Sequence, residues 1–417
     1  MEPVPAARPR GQYRALLRER DFCLFFVATT SSTLGSAIIP VAMTFALLAR
    51  GRSATTIGLV LAAQTAPTIV LMLAGGVVGD RWPRRRLMIG ADLLRCVSQS
   101  LLAGVLTLRH PPLPALLALV ACLGIGNAFY GPAETGLIPE IAGRHRIRQA
   151  NGLLSISSSL TAIVGPSLGG LLVSLGNAPL AIGLDATSYA ISACCLALIR
   201  TAMRDRPPPA SFLHDFRLGW REFRTHGWLR LVTAQYGLLD LVAFAPFFVL
   251  GPVLLASRPD GARLWGLVSS ATGMGGVLGG LLVLRIHPAR PLVAFELAAA
   301  LLTLPLVMLA LHVPVLVLAL GSAVFGAALA VLNVTVQTAV QEQIPHTVLS
   351  RVNALFSLVA VGMGPVGFAL CGPMAHMVGT RRWLGIGAGI ILLSVAALLM
   401  SRRIWGLQAA PPPDATG

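Results

Sequence analysis

Lysine is absent from this chain: all 32 basic residues are arginine, set against only 16 acidic ones. Charged side chains make up 12% of the sequence, about half of the roughly 25% found in a soluble domain. With 55% hydrophobic residues and a mean hydropathy of +0.77, so much apolar surface cannot be hidden in one aqueous core. A soluble globular protein is excluded, and a polytopic membrane protein is implied. A net charge of +16 in a soluble chain would suggest nucleic acid. Here the arginines fall in short breaks between apolar runs, which is how membrane topology is written, so no nucleic-acid partner is expected.

Other absences narrow the chemistry. The six cysteines (Cys23, Cys96, Cys122, Cys194, Cys195, Cys371) lie inside apolar runs with no metal-ligand or disulfide spacing. They read as small packing residues, and no metal is expected. No Walker loop, HExxH, GxSxG or pair of catalytic carboxylates occurs, so no enzyme is expected and no cofactor beyond an ion gradient. The glycine-rich Gly273–Gly280 stretch has no lysine and sits within an apolar run, which makes it helix packing rather than a phosphate cradle. The first apolar run is long and lacks an A-x-A site, so it reads as a membrane span rather than a cleaved signal.

What the chain does have is twelve apolar runs, near 22–48, 56–79, 87–108, 113–134, 148–175, 179–199, 229–255, 265–284, 291–311, 315–339, 352–374 and 384–400. Each is long enough to cross ~30 Å of hydrocarbon as a helix. With the N-terminus placed inside, 24 arginines fall on the cytoplasmic side and 7 outside, leaving Arg95 within a span. That asymmetry predicts both termini inside. The fold expected is an all-α membrane protein of twelve helices in two six-helix bundles. It divides into a cytoplasmic segment 1–20, a first bundle 21–200, a linker 201–227, a second bundle 228–403 and a disordered tail 404–417. In the linker, Phe212, Phe216, Trp220 and Phe223 share one face and Arg217, Arg221 and Arg224 the other. Such a helix lies on anionic lipid or, alternatively, serves as a target for a partner.

The halves repeat one another. Asn151, Gly165 and Gly170 keep the same spacing as Asn353, Gly367 and Gly372, 202 positions later. A duplicated six-helix unit is a transporter design, with the substrate site between the halves near the midplane.

Two motifs are more specific. Between the second and third runs stand Gly76, Asp80, Arg81, Arg84, Arg85 and Arg86, with Pro83 at the elbow. In the fifth run stand Gly152, Gly165, Pro166, Gly169 and Gly170, with Thr161 in a position between them. Together these resemble the loop motif and the antiporter motif of the major facilitator superfamily, over nearly the whole chain. NAFYGPAETGLIPE and ANGLLS are similar to the subgroup holding enterobactin exporters and macrolide efflux pumps. The resemblance implies a cytoplasmic latch at Asp80, facing the start of the eleventh helix near Arg351. It also implies a tight, kinked fifth helix that marks exporters. One departure is Val120, where the family's drug antiporters carry an arginine before Gly124.

Carboxylates within spans are functional candidates by default, because a lone charge in hydrocarbon is costly. Asp240, about mid-membrane by helical rise, is the first candidate for proton coupling, with Asp92 and Asp185 behind it. Asp92 has Arg95 one turn away, so a paired structural or gating role is expected there. Glu296 is placed close enough to the membrane surface to be ordinary. By depth, the expected substrate cavity draws on Thr29, Ser32, Asn127, Tyr130, Gln235, Phe244, Asn333 and Gln337. The function expected is a monomeric, proton-coupled exporter of an amphipathic small molecule (drug, macrolide, siderophore or other natural product) in the bacterial inner membrane. Its partners are the substrate, protons and lipid. Uptake by symport or facilitation is the alternative, and a non-transporting sensor or scaffold the remote one.

Overall fold

The computed structural model describes residues 16–200, 212–285, 288, 290–345 and 348–405. Within these, nothing is described of the side chains of 72–81, 144, 212–216, 218, 219, 350, 354, 402 and 403. Among the described residues, twelve helices are long and apolar enough to cross a membrane. The first six are α1 (Arg20–Leu48), α2 (Ala54–Arg81), α3 (Arg84–Val105), α4 (Leu113–Ala142), α5 (Ile147–Ser174) and α6 (Ala178–Leu198). The second six are α7 (Gly227–Leu255), α8 (Gly261–Val283), α9 (Pro291–Leu311), α10 (Val315–Gln343), α11 (Leu349–Gly362 continued by Gly364–Val378) and α12 (Thr380–Leu399). Each helix coincides with one predicted run. The main difference is α4, which continues to Ala142 rather than stopping near residue 134. Pro132 and Pro139 lie inside it, so the polar PAET segment is helix and not loop.

Within each half the helices bundle side by side, α1 against α5 and α6, and α10 against α8 and α9. Across the halves, α5 packs on α8 and α2 on α11. The duplicated glycines explain this exchange. A Cβ on Gly165 would strike Ala37 of α1, and one on Gly367 would stand 2.8 Å from the Asp240 carbonyl oxygen of α7. These glycines hold α5 and α11 within their own halves. One turn on, a Cβ on Gly170 would stand 2.5 Å from the Ala262 carbonyl oxygen of α8, and one on Gly372 would strike Thr55 of α2. Those glycines cross between halves. Small residues permit such backbone approach where lipid supplies no hydrophobic drive. Gly58 against Phe368 and Gly266 against Pro166 extend the same close contacts. The halves are therefore shut at the end carrying the α1–α2 and α11–α12 turns.

Between the halves runs the linker helix Phe212–Thr225, resting near the start of α11. Trp220 and Phe223 stack at 5.8 Å, Phe223 is buried, and Arg217, Arg221 and Arg224 are exposed. Phe212 and Phe216 are among the side chains outside the description.

A valine at Gly165 should therefore cost stability. Overpacking of this kind is worth about 1–3 kcal/mol. Thermal unfolding in detergent should fall for Gly165→Val and hold for Gly280→Val, which opens into free space; equal curves would remove the packing assignment.

Candidate functional site

The halves enclose a cavity of about 630 Å³. Its apolar wall carries the rings of Phe244, Phe248, Trp265 and Phe368. Its polar groups are mostly uncharged: Gln64, Thr65 and Thr68 from α2, Asn127 from α4, Ser269 and Thr272 from α8. Among the described residues lining it, Asp240 is the one ionisable side chain.

Asp240 stands at a local irregularity. α7 winds as a π turn over Asp240–Phe244, and the Ala245 amide bonds to the Asp240 carbonyl. The cause follows in the sequence. Pro246 has no amide to donate, and its ring would clash with the Val242 carbonyl in a regular helix. The Val242 carbonyl instead lies against Gly387 of α12. Opposite, α11 breaks between Gly362 and Gly364, and Val361, Gly364 and Pro365 join the cavity wall beside Asp240. Two interrupted helices meet at one carboxylate, the arrangement in which transporters build ion and substrate sites.

A second polar assembly fills the first half. Asp92 is fully buried and Arg95 4% exposed, with the guanidinium donating to Asp92 Oδ1. Ser192 donates to Asp92 Oδ2 at 2.6 Å, and Arg95 donates to Asn127 Oδ1 at 3.2 Å. The guanidinium lies between two rings, 4.1 Å from the Tyr130 centroid and 4.4 Å from that of Tyr189. Desolvated cation–π contacts of this kind are worth about 2 kcal/mol each. Asp185 is also fully buried, accepting from Gln99 at 2.5 Å and from Ser188 at 3.3 Å. Asn127 thus touches both the cavity and the buried arginine.

The predicted cavity residues separate accordingly. Asn127 and Phe244 line the central cavity with Asp240. Tyr130 is buried on Arg95, and Asn333 accepts from Tyr236 at 2.8 Å. Ser32 and Gln235 are buried, and Gln337 is half-buried on α10. Thr29 lies on a different pocket, of about 350 Å³, together with Glu134. Glu134 stands in the PAET segment, which hydropathy alone puts at the end of α4 and the structure puts inside it. Glu296 departs from expectation more sharply: it is fully buried, and neither carboxyl oxygen has a hydrogen-bond partner among the described residues. Its helix packs against α10 and α12, so proximity to the helix end gives it no access to water.

Of the elbow motif, the backbone is helical through Arg81, but the side chains of Gly76, Asp80 and Arg81, and with them the latch, lie outside the described residues. Arg84 donates to Glu140 at 3.1 Å and to the Gly136 carbonyl of α4. Arg85 donates to Leu196 O at 2.6 Å and to the Ala197 carbonyl, at the end of α6. It satisfies carbonyls that a helix C-terminus leaves open. In the fifth-helix motif, Gly165, Gly169 and Gly170 meet α1 and α8 closely, Pro166 lines the cavity, and Gly152 is half-buried. Val120 is buried in the core; the buried guanidinium of this half comes from α3 instead.

Twelve spanning helices in two similar halves around a central cavity define a membrane transporter of the major facilitator fold. The nucleoside transporter NupG has this architecture: its crystal structure superposes with a TM-score of 0.72 at 13% identity, covering 93% of this chain and 100% of that one. The chain belongs to the transmembrane secretion effector family of that superfamily, whose model matches residues 13–411. It is 28% identical to the multidrug efflux pump Tap of Mycolicibacterium fortuitum, over 91% of this chain and 95% of that one. Macrolide efflux protein A of Streptococcus pyogenes is 24% identical over 89% and 93%, and the enterobactin exporter EntS of Shigella boydii 26% over 94% of each.

The Asp92–Arg95 pair is open to direct test. Removing one member of a buried ion pair costs about 3–5 kcal/mol, whereas removing both with apolar replacements is often neutral. Asp92→Leu and Arg95→Met should each lower the unfolding temperature in detergent, and the double variant should recover most of the loss. Additive losses would show that the two do not act as a pair.

Proposed function

We propose that this chain is a proton-coupled exporter in the bacterial cytoplasmic membrane, with both termini and the arginine-rich loops on the cytoplasmic side. One observation carries the reading: among the described residues lining the cavity between the halves, Asp240 is the single carboxylate on a wall otherwise uncharged and aromatic. Rings and methyl groups suit the apolar body of an amphipathic cargo, and a carboxylate attracts positive charge. An anionic cargo would meet no cation among the described residues of the cavity wall. The names of the relatives, a multidrug pump, a macrolide efflux protein and an enterobactin exporter, support the outward direction.

The cycle follows from charge. The glycine contacts close the end carrying the α1–α2 and α11–α12 turns, which is the outer end in this orientation, so the structure is the inward-facing state. Ionised Asp240 draws a cationic cargo from the cytoplasm. After the halves rock, a proton from outside neutralises Asp240 and releases the cargo. The protonated form returns and gives its proton to the cytoplasm. Cargo and proton thus alternate on one group, and the gradient biases the direction.

Asp240→Asn should keep its fold, seen as an unchanged elution profile and unfolding temperature, yet lose gradient-driven efflux more than tenfold in everted vesicles. Proton-dependent transport surviving in that variant would overturn the assignment. Accumulation of labelled cargo by intact cells, in place of its exclusion, would reverse the direction.

A further inference from the structure

We propose that the pocket around Glu134 is a second station on the export path, selective for protonated primary and secondary amines. The cargo would then carry an ammonium group with N–H donors. This deepens the reading of the central cavity and rests on it.

The pocket, of about 350 Å³, is enclosed by α1, α4 and α5. Three of its threonine hydroxyls turn the same way. Thr29 donates to Phe25 O at 3.0 Å, Thr33 to Thr29 O at 2.7 Å and Thr135 to Gly131 O at 3.1 Å. Thr30 and Ser157 share one bond at 2.7 Å. The protons of Thr29, Thr33 and Thr135 are turned back into their own helices, which leaves those oxygens' lone pairs toward the pocket. Glu134 adds a carboxylate that takes part in no hydrogen bond or ion pair among the described residues. No basic side chain is found among the described residues lining the pocket. Arg95, which stacks on Tyr130 one turn along α4, is committed to Asp92 and Asn127. The pocket is thus rich in acceptors and carries a negative charge, while Asn151, Ser155 and Ser158 bring side chains that can donate as well as accept.

A matching ligand is cationic and rich in donors. A bare metal ion draws its oxygens to about 2.3–2.6 Å, and a space of 350 Å³ is far larger than such a ligand shell. A quaternary ammonium or phosphonium ion has the charge but no N–H to place on these oxygens. A protonated primary or secondary amine has both, and its donors form charge-assisted bonds, the stronger kind.

Helix periodicity places the pocket on the same wall as the cavity. On α5, Asn151, Ser155 and Ser158 of the pocket continue, at helical spacing, into Ala162 and Pro166 of the cavity. On α1, Thr30 and Thr33 continue into Ala37 and Val41. On α4, Glu134 follows Asn127 by seven residues, about 10 Å along the axis. In the proposed orientation the pocket lies on the cytoplasmic side of the cavity, where a cargo bound outward arrives first.

The experiment compares two fluorescent probes, dansylcadaverine and its trimethylammonium analogue, for binding to the full-length protein in lipid nanodiscs. The native protein should bind the primary amine at least tenfold more tightly. Glu134→Gln should bring that ratio to about one, by weakening the amine alone. Thr30→Val combined with Thr33→Val should lower it without touching the carboxylate, and Glu134→Asp should restore part of it. Asp240→Asn should weaken both probes together and leave the ratio intact. An unchanged ratio in Glu134→Gln, with Asp240→Asn still weakening both, would overturn the second station alone. Binding of both probes indifferent to Asp240→Asn would overturn the central reading as well. A ratio abolished in the native protein when sodium replaces choline in the buffer would identify an inorganic ion site instead.

Discussion

Every charge in this molecule answers to one constraint: a charged group in hydrocarbon must be paired, solvated or used. Arg95 shows the paired solution in full. A carboxylate, an amide oxygen and two aromatic faces close around one guanidinium, and they come from α3, α4 and α6. Three helices of the first half are therefore tied through a single side chain. Asp240 and Glu134 show the opposite solution. Each faces open space on the wall between the helices, where water or a ligand can supply what the protein does not.

The constraint also divides labour between the halves. The first half holds its buried charge in a neutralised knot, with Asp185 fixed separately by Gln99 and Ser188. Among the described residues the second half holds no such knot: Asp240 faces the cavity, and Glu296 is buried among apolar helices with no hydrogen-bond partner. Asn127 is the point where the two arrangements meet, bonded to Arg95 on one side and open to the cavity on the other. The knot ties the first half into one body, and each half still offers a carboxylate to open space, Glu134 in the first and Asp240 in the second.

Much of this was legible in the sequence. Length and hydropathy of the runs gave the twelve helices, because a span must satisfy its own backbone and be apolar over about 20 residues. The 202-residue repeat pointed to paired glycines, and their spacing already contained the two kinds of contact they make. Asp240 was legible from depth alone. Glu134 was not, since polar PAET looks like a helix end when hydropathy decides the boundary; only the continuation of α4 to Ala142 puts it inside. The i,i+3 spacing of Asp92 and Arg95 disclosed their pairing, but Tyr130 and Tyr189 reach the guanidinium from other helices, and no local pattern records that. Glu296 is buried despite its place near a helix end, because distance along a helix is not distance from water.

The π turn at Asp240 has a geometric meaning. A π turn holds one residue more than the α-helical turn it replaces. The widened turn takes up that residue locally, so α7 continues through Ala245–Leu255 without a break. Two halves born as copies can then keep their glycine contacts and still present unlike surfaces to each other. At the equivalent place in the first copy, 202 residues earlier, stands Ile38, an apolar residue on an uninterrupted helix. The asymmetry between the two matching helices is thus local: one widened turn with a carboxylate at its start, in the second of them alone.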